Sequence, residues 1–264
     1  MPPYSADLVL AHRLADAADA ISLARFRAVD LHVTAKPDLS PVTDADTAVE
    51  QALRELLARE RPGDGVLGEE CDDTEPAPGK HVRRWVIDPI DGTKSFIRGV
   101  PIWATLVALT IDDEPVVGVA SAPALGRRWW AARGQGAFAG SDAAHGTRIR
   151  VSAVSNVGDA SFCYSSLNVW KEARRMQPIV DLILDAWQSR AYGDFYGYVL
   201  LAEGAVDVMV YPKLGPWDVA ALVPIIEEAG GTFTAFDRTL GPGYDGAIAT
   251  NGKLHEVVLG RFGP

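Results

Sequence analysis

Two aspartates three residues apart, Asp88 and Asp91, flank the Ile90 carbonyl in the stretch Trp85-Val86-Ile87-Asp88-Pro89-Ile90-Asp91-Gly92-Thr93. Oxygen donors at this spacing suit a hard cation such as Mg²⁺ rather than a soft or borderline metal. Taken alone, an Asp-x-x-Asp pair more often marks a solvated turn or a helix cap. Two further acids stand in apolar surroundings, Glu69 within Leu67-Gly68-Glu69-Glu70 and Asp218 between Pro216-Trp217 and Val219-Ala220-Ala221-Leu222. Like charges about 4 Å apart repel by roughly 4 kcal/mol at an effective dielectric near 20, so gathering carboxylates without cations would be costly. Divalent metal removes that cost.

The elements around these acids must hold them still. The apolar run Trp85 to Ile87 predicts a buried strand. Asp88 to Asp91 should then form a tight connection, because Pro89 blocks regular pairing and Gly92 admits unusual dihedrals. Residues 5 to 29 read as a packing helix with apolar faces from Leu8, Leu10, Leu14, Ala17, Ile21, Leu23 and Phe26. His32 to Asp38 reads as a strand entering a loop, and Pro41 to Asp46 as the entry to a second helix that ends before Pro62-Gly63. Ile102 to Ala122 is expected to form a β-hairpin turning at Asp112 to Pro115, with more strand at Trp129 to Ala132 and Ile149 to Ser152.

The second half alternates differently. Helices are expected over 171–189, 196–203 and 218–229, and strands over 206–211 and near Thr232 and Ile248, which makes an α/β unit. An α+β half (1–140) and an α/β half (141–264) should therefore pack into one rigid body. Gly134 to Ala139 imitates a dinucleotide fingerprint but lacks a βαβ setting, and Leu254 after Gly252-Lys253 stands where a P-loop needs Ser or Thr. Neither stretch supports a nucleotide site.

With 264 residues, 48% of them hydrophobic, the chain has ample material for a core. A net charge of −10 argues against nucleic acid or an anionic membrane as partner, yet permits a phosphorylated substrate, since bound cations reverse the local sign. Two cysteines give no disulfide framework, and no Cys/His spacing suggests zinc. No long apolar run suggests a signal or membrane segment, so a cytoplasmic enzyme is the simplest reading.

Four blocks stand out along the chain: Val42-Thr43-Asp44-Ala45-Asp46, Gly68-Glu69-Glu70, Asp88-Pro89-Ile90-Asp91-Gly92-Thr93, and Trp217-Asp218 followed by Glu228-Ala229-Gly230-Gly231. Through them the sequence resembles the inositol monophosphatase family, the Mg²⁺-dependent phosphomonoesterases. The resemblance implies a layered αβαβα sandwich, usually a homodimer, with the site between the halves and a small phosphorylated metabolite as substrate. It implies that Glu69, Asp88 and the Ile90 carbonyl hold one Mg²⁺, that Asp88, Asp91 and Asp218 hold a second, and that a third is a family possibility. Thr93 and Asp46 would orient a metal-activated water for direct attack on phosphorus, and the N–H groups of Gly92 and Thr93 would cradle the phosphate. Asp44 competes with Asp46 for its role but ranks lower, as a residue placed to cap a helix. Lys36 faces phosphate or solvent, and Glu70 either supports the site or is hydrated.

Within the family, Asp91 to Phe96 followed by Arg98-Gly99-Val100-Pro101, together with Tyr192-Gly193-Asp194, resembles the histidinol-phosphatase branch. Its substrate carries an ammonium and an imidazole, which Asp194 could pair with and which Phe195 or Tyr196 could meet with a ring face. Arg190 and Tyr211 complete the expected substrate contacts. Tyr211, seven residues before Asp218, stands where the family commonly carries a substrate-binding Glu. The leading expectation is an L-histidinol-phosphate phosphatase of histidine biosynthesis. The alternatives are an inositol-1-monophosphatase or a phosphatase of fructose 1,6-bisphosphate or a nucleotide 3′-phosphate. A silent phosphate sensor is disfavoured, because every expected ligand position is filled.

Overall fold

The apolar runs of the first half are apolar at successive positions because both faces of the sheet they build are covered. A computed structural model describes residues 2–238 and 246–263. Its first part runs α1 (Ser5–Arg25), β1 (Val33–Ala35), β2 (Pro41–Thr43), α2 (Asp44–Glu60), β3 (Gly65–Gly68), β4 (Arg83–Asp91), α3 (Thr93–Ile97), β5 (Ala104–Ile111), β6 (Glu114–Ala122), β7 (Arg127–Ala132), β8 (Ala137–Gly140) and β9 (Gly146–Arg148). Strands β3 to β9 form one seven-stranded sheet in sequence order, antiparallel except for the β3/β4 pair. Trp85, Ile87, Val107 and Leu109 point to α1 and α2, while Val86, Leu106 and Ala108 point the other way. This is the period of two that a strand imposes. The sheet continues past residue 140 to Arg148.

The second part runs β10 (Ser161–Tyr164), α4 (Leu167–Glu172), α5 (Met176–Asp185), β11 (Gln188–Arg190), α6 (Asp194–Ala202), β12 (Val208–Tyr211), α7 (Pro216–Ala220), α8 (Leu222–Glu228), β13 (Thr232–Thr234), β14 (Ala247–Thr250) and α9 (His255–Leu259). Its five-stranded sheet has the order β11-β10-β12-β14-β13, parallel through the first three strands and antiparallel at β14. Helices α6, α7 and α8 fill the space between the two sheets, and α4, α5 and α9 cover the outer face of the second. The layers therefore read αβαβα.

Several boundaries differ from the sequence expectation. Helix α1 stops at Arg25, not residue 29, because Phe26 turns extended. Its ring joins Phe96 and Trp103 at centroid distances of 5.4 and 5.3 Å. The helix expected over 171–189 is α4 and α5 broken at Arg174 (φ 58°), with its tail drawn into β11 beside β10. The helix expected over 218–229 begins at Pro216, where a proline's missing N–H costs nothing. It is split between α7 and α8, since Pro224 cannot donate to the Ala220 carbonyl. Residues 149–152 form no strand; Ile149 and Val151 instead donate singly to the carbonyls of Ala137 and Ala229.

Candidate active site

Strand β4 carries the first two acids, and it does not end at Ile87 as Pro89 suggests. Pairing with β5 continues to Asp91, but Asp88 faces Leu106 and Asp91 faces Ala104, so one extra residue bulges between them. In a regular strand, residues three apart point to opposite faces; one bulged residue brings them to the same face. The bulge is held by the Thr105 hydroxyl donating to the Pro89 carbonyl at 2.8 Å and by the Ile90 N–H donating to Asp88 Oδ1 at 3.0 Å. Gly92 then turns the chain into α3 at φ 88°, where a Cβ would lie 3.1 Å from the Ile102 carbonyl.

Asp218 arrives from the first turn of α7, its Oδ2 fixed by the Gly215 N–H at 2.6 Å. One oxygen from each of Asp88, Asp91 and Asp218 lies within 4.8 Å of the others. Asp91 Oδ2 also accepts the Phe195 N–H at 2.5 Å, which ties β4 to the start of α6. Thr93 Oγ1 lies 3.3 Å from Asp46 Oδ1 and 3.1 Å from the Ile90 carbonyl. Asp46 is fully buried and fixed in turn, accepting the Thr43 N–H at 2.9 Å in a capping box at the head of α2. Asp44 instead lies partly exposed and ion-paired to Arg25 at 2.7 Å, which fits a surface role.

Glu69 lines the same cavity but is held differently. Lys36, from the turn between β1 and β2, reaches Glu69 Oε1 and Glu70 Oε1 at 2.7 Å each. Both glutamates follow β3 in a turn pinned by buried Glu50, which accepts the N–H groups of Glu70 and Cys71 at 2.8 and 3.2 Å. The cavity, about 180 Å³, is walled by Glu69, Asp88, Asp91 and Asp218 and by Ile90, Gly92, Thr93, Asp194, Tyr198 and Tyr211, with Lys94 and Lys213 also lining it.

Burial, and then the charges of Glu69, Asp91 and Asp218, hold the Asp88 carboxyl well above the ordinary range. Asp91 is raised likewise by burial, then by Asp194 and Asp218, against the Phe195 N–H. Burial pushes Asp218 up to about 7 despite its bond from Gly215. Glu70 is also pushed up to about 7, by burial against the Lys36 hydrogen bond. Burial lowers the Lys36 ammonium, but the hydrogen bonds it donates to Glu69 and Glu70 overcome that and leave the group above its usual value. A cluster of acids that resist ionising is what a divalent cation relieves. The donor set is all oxygen, so it fits Mg²⁺ and offers nothing to a soft metal.

The sequence model of the inositol monophosphatase family matches residues 6–262. The chain belongs to the inositol monophosphatase family. Its relatives include histidinol-phosphatases of Streptomyces coelicolor, 53% identical over 264 residues (98% of each chain), and of Mycobacterium tuberculosis, 52% identical over 256 residues (97% of each). An inositol monophosphatase from Zymomonas mobilis shares the fold with a TM-score of 0.85, at 34% identity and 99% coverage of both chains.

In this family member most of the residues picked out from sequence come together. Glu69, Asp88, Ile90, Asp91, Gly92, Thr93, Asp194, Tyr211 and Asp218 all line one cavity, and Asp46 joins it through Thr93. Arg190 and Phe195 do not. Arg190 is exposed on edge strand β11 and donates to its neighbour's carbonyl at Ser189, 2.7 Å away. Phe195 is 1% exposed and packs edge-on against Trp129, so its backbone N–H serves the site while its ring serves the core. Sequence reasoning also passed over Tyr198. Helical spacing offered the signal, since position 198 shares a face of α6 with position 194 and position 195 does not.

Proposed function

We propose that this chain hydrolyses L-histidinol phosphate, with Mg²⁺ held by Glu69, Asp88, Asp91, Asp218 and the Ile90 carbonyl. The choice of ester is carried by the two full-length relatives above half identity, both histidinol-phosphatases. When bound, divalent cations would neutralise the acids, favour ionisation of water and stabilise charge on the departing oxygen. The chain's own residues supply the aim. The Thr93 hydroxyl has one proton to give and is poised between two acceptors, Asp46 Oδ1 and the Ile90 carbonyl, so its lone pairs stay free to orient a water. Asp46 Oδ1 is the acceptor for the proton that Thr93 Oγ1 relays. The first-turn amides of α3, from Gly92 onward, have no helical acceptor of their own and would hold the phosphoryl oxygens.

Asp194 supports a cationic leaving alcohol. It lines the cavity at the head of α6, with its Oδ2 3.4 Å from where a Gly92 Cβ would stand. Family resemblance adds a homodimer and a place in histidine biosynthesis to this reading.

A panel of phosphate esters assayed with Mg²⁺ tests it. Histidinol phosphate is expected to exceed inositol 1-phosphate in kcat/KM by at least about tenfold; the reverse order would overturn the choice of ester. Asp194→Asn is expected to raise KM for histidinol phosphate roughly tenfold, the worth of one charge-assisted bond, and to spare p-nitrophenyl phosphate. Equal losses on both esters would remove Asp194 from substrate recognition.

A further inference from the structure

Tyr198 follows Asp194 by four residues on α6, so the two side chains leave the same face of the helix, and both line the cavity. The Tyr198 ring is 1% exposed and stacks on Phe233 with centroids 5.7 Å apart. That packing accounts for an aromatic ring. It leaves the phenol oxygen unexplained, since phenylalanine would fill the same space. The hydroxyl is buried with no hydrogen-bond partner among the described residues, and a buried polar group left unpaired costs about 1–3 kcal/mol.

Its surroundings indicate what it is waiting for. The groups bearing on the hydroxyl are Tyr211, Asp218, Cys163 and Asp91, three of which line the cavity. Burial, reinforced by these groups, keeps the phenol protonated, so it can both donate and accept. The phosphoryl end of an ester already has its proposed donors in the first-turn amides of α3, at Gly92 and Thr93. A hydroxyl on α6, on the same helix face as Asp194, is placed for the other end.

We infer that Tyr198 is a specificity-determining residue whose hydroxyl hydrogen-bonds the nitrogen-bearing alcohol portion of the ester rather than its phosphoryl group. This rests on the histidinol-phosphate reading above. A site that offers a buried hydroxyl to a polar group selects against esters lacking that group, because the hydroxyl then stays unpaired.

Tyr198→Phe removes one oxygen and keeps the ring. The variant should fold, with a melting temperature equal to or above that of the parent, since an unpaired buried hydroxyl has gone. Its preference for histidinol phosphate over p-nitrophenyl phosphate, as a ratio of kcat/KM, is expected to fall about tenfold or more. Inhibition by L-histidinol, which has no phosphoryl group, should weaken by a similar factor. A loss shared equally by both esters, or unchanged histidinol inhibition, would place the hydroxyl's partner at the phosphoryl or metal end and overturn the inference. An unaltered ratio would make it a core oxygen only. A parent protein that cleaves p-nitrophenyl phosphate but not histidinol phosphate would instead overturn the ester reading itself.

Discussion

Asp91→Asn is expected to lower kcat/KM by about three orders of magnitude, roughly 4 kcal/mol of transition-state stabilisation, on every ester the protein cleaves. The reason is local. Asp91 supplies one of three oxygens within 4.8 Å of one another, and its other oxygen accepts the Phe195 N–H. An asparagine keeps that second bond by turning its carbonyl to Phe195. Its amide then points N–H groups at Asp88 and Asp218, which are satisfied as hydrogen-bond acceptors but no longer form a cation site. Turnover should fall while the β4 to α6 connection survives. The metal-free variant should also melt above the parent at neutral pH, because one of three mutually repelling buried acids is gone. Turnover against histidinol phosphate and p-nitrophenyl phosphate, melting without metal, and a calorimetric Mg²⁺ titration measure these effects. Near-normal turnover, or an unchanged Mg²⁺ affinity, would move the metal centre elsewhere.

The clustered acids were legible because carboxylates in apolar runs are conspicuous: Asp88 after Trp85-Val86-Ile87 and Asp218 before Val219-Ala220 have no surface reason to be there. What brings Asp88 and Asp91 to one face was not legible. Pro89 argues for leaving the sheet, and the strand persists only because Thr105, on the neighbouring strand, takes the proline's carbonyl. Lys36 was similarly opaque, since its two glutamate partners lie 33 or more residues away and nothing local predicts the pairing. Strands β10 and β11 are too short to announce themselves, and each is defined by the neighbour it pairs with. Phe195 and Tyr198 show the remaining difficulty. Both are aromatic and adjacent to the acidic motif, and only the helical phase of α6 decides which one lines the cavity and which faces Trp129.

The stability gained from Mg²⁺ should depend steeply on pH, small near pH 5 and several degrees of melting temperature near pH 8. Asp88, Asp91 and Asp218 all hold their protons more tightly in the folded chain than in the unfolded one, where aspartate titrates near about 3.9. A folded state that binds more protons loses stability as pH rises. The contribution is complete below about 4 and is lost as pH climbs through the folded value, which for Asp218 is about 7. Mg²⁺ binds the ionised acids, so it restores stability in the range where the protons have left. Among the described residues two histidines, His12 and His255, have the opposite sign, both lowered by burial and neither lining the cavity. His12, packed on Trp130 and beside Arg128, is lowered to about 4 by burial, so its contribution is present above about 6.5 and lost as pH falls. Because neither histidine lines the cavity, subtracting the melting temperature in EDTA from that in Mg²⁺ at each pH cancels both. A few kcal/mol of recovered stability corresponds to roughly 5–10 °C for a chain of this size. A Mg²⁺ increment that is the same at pH 5 and pH 8 would mean that the three aspartates are already ionised in the metal-free protein, and that their mutual repulsion is relieved by something other than protons.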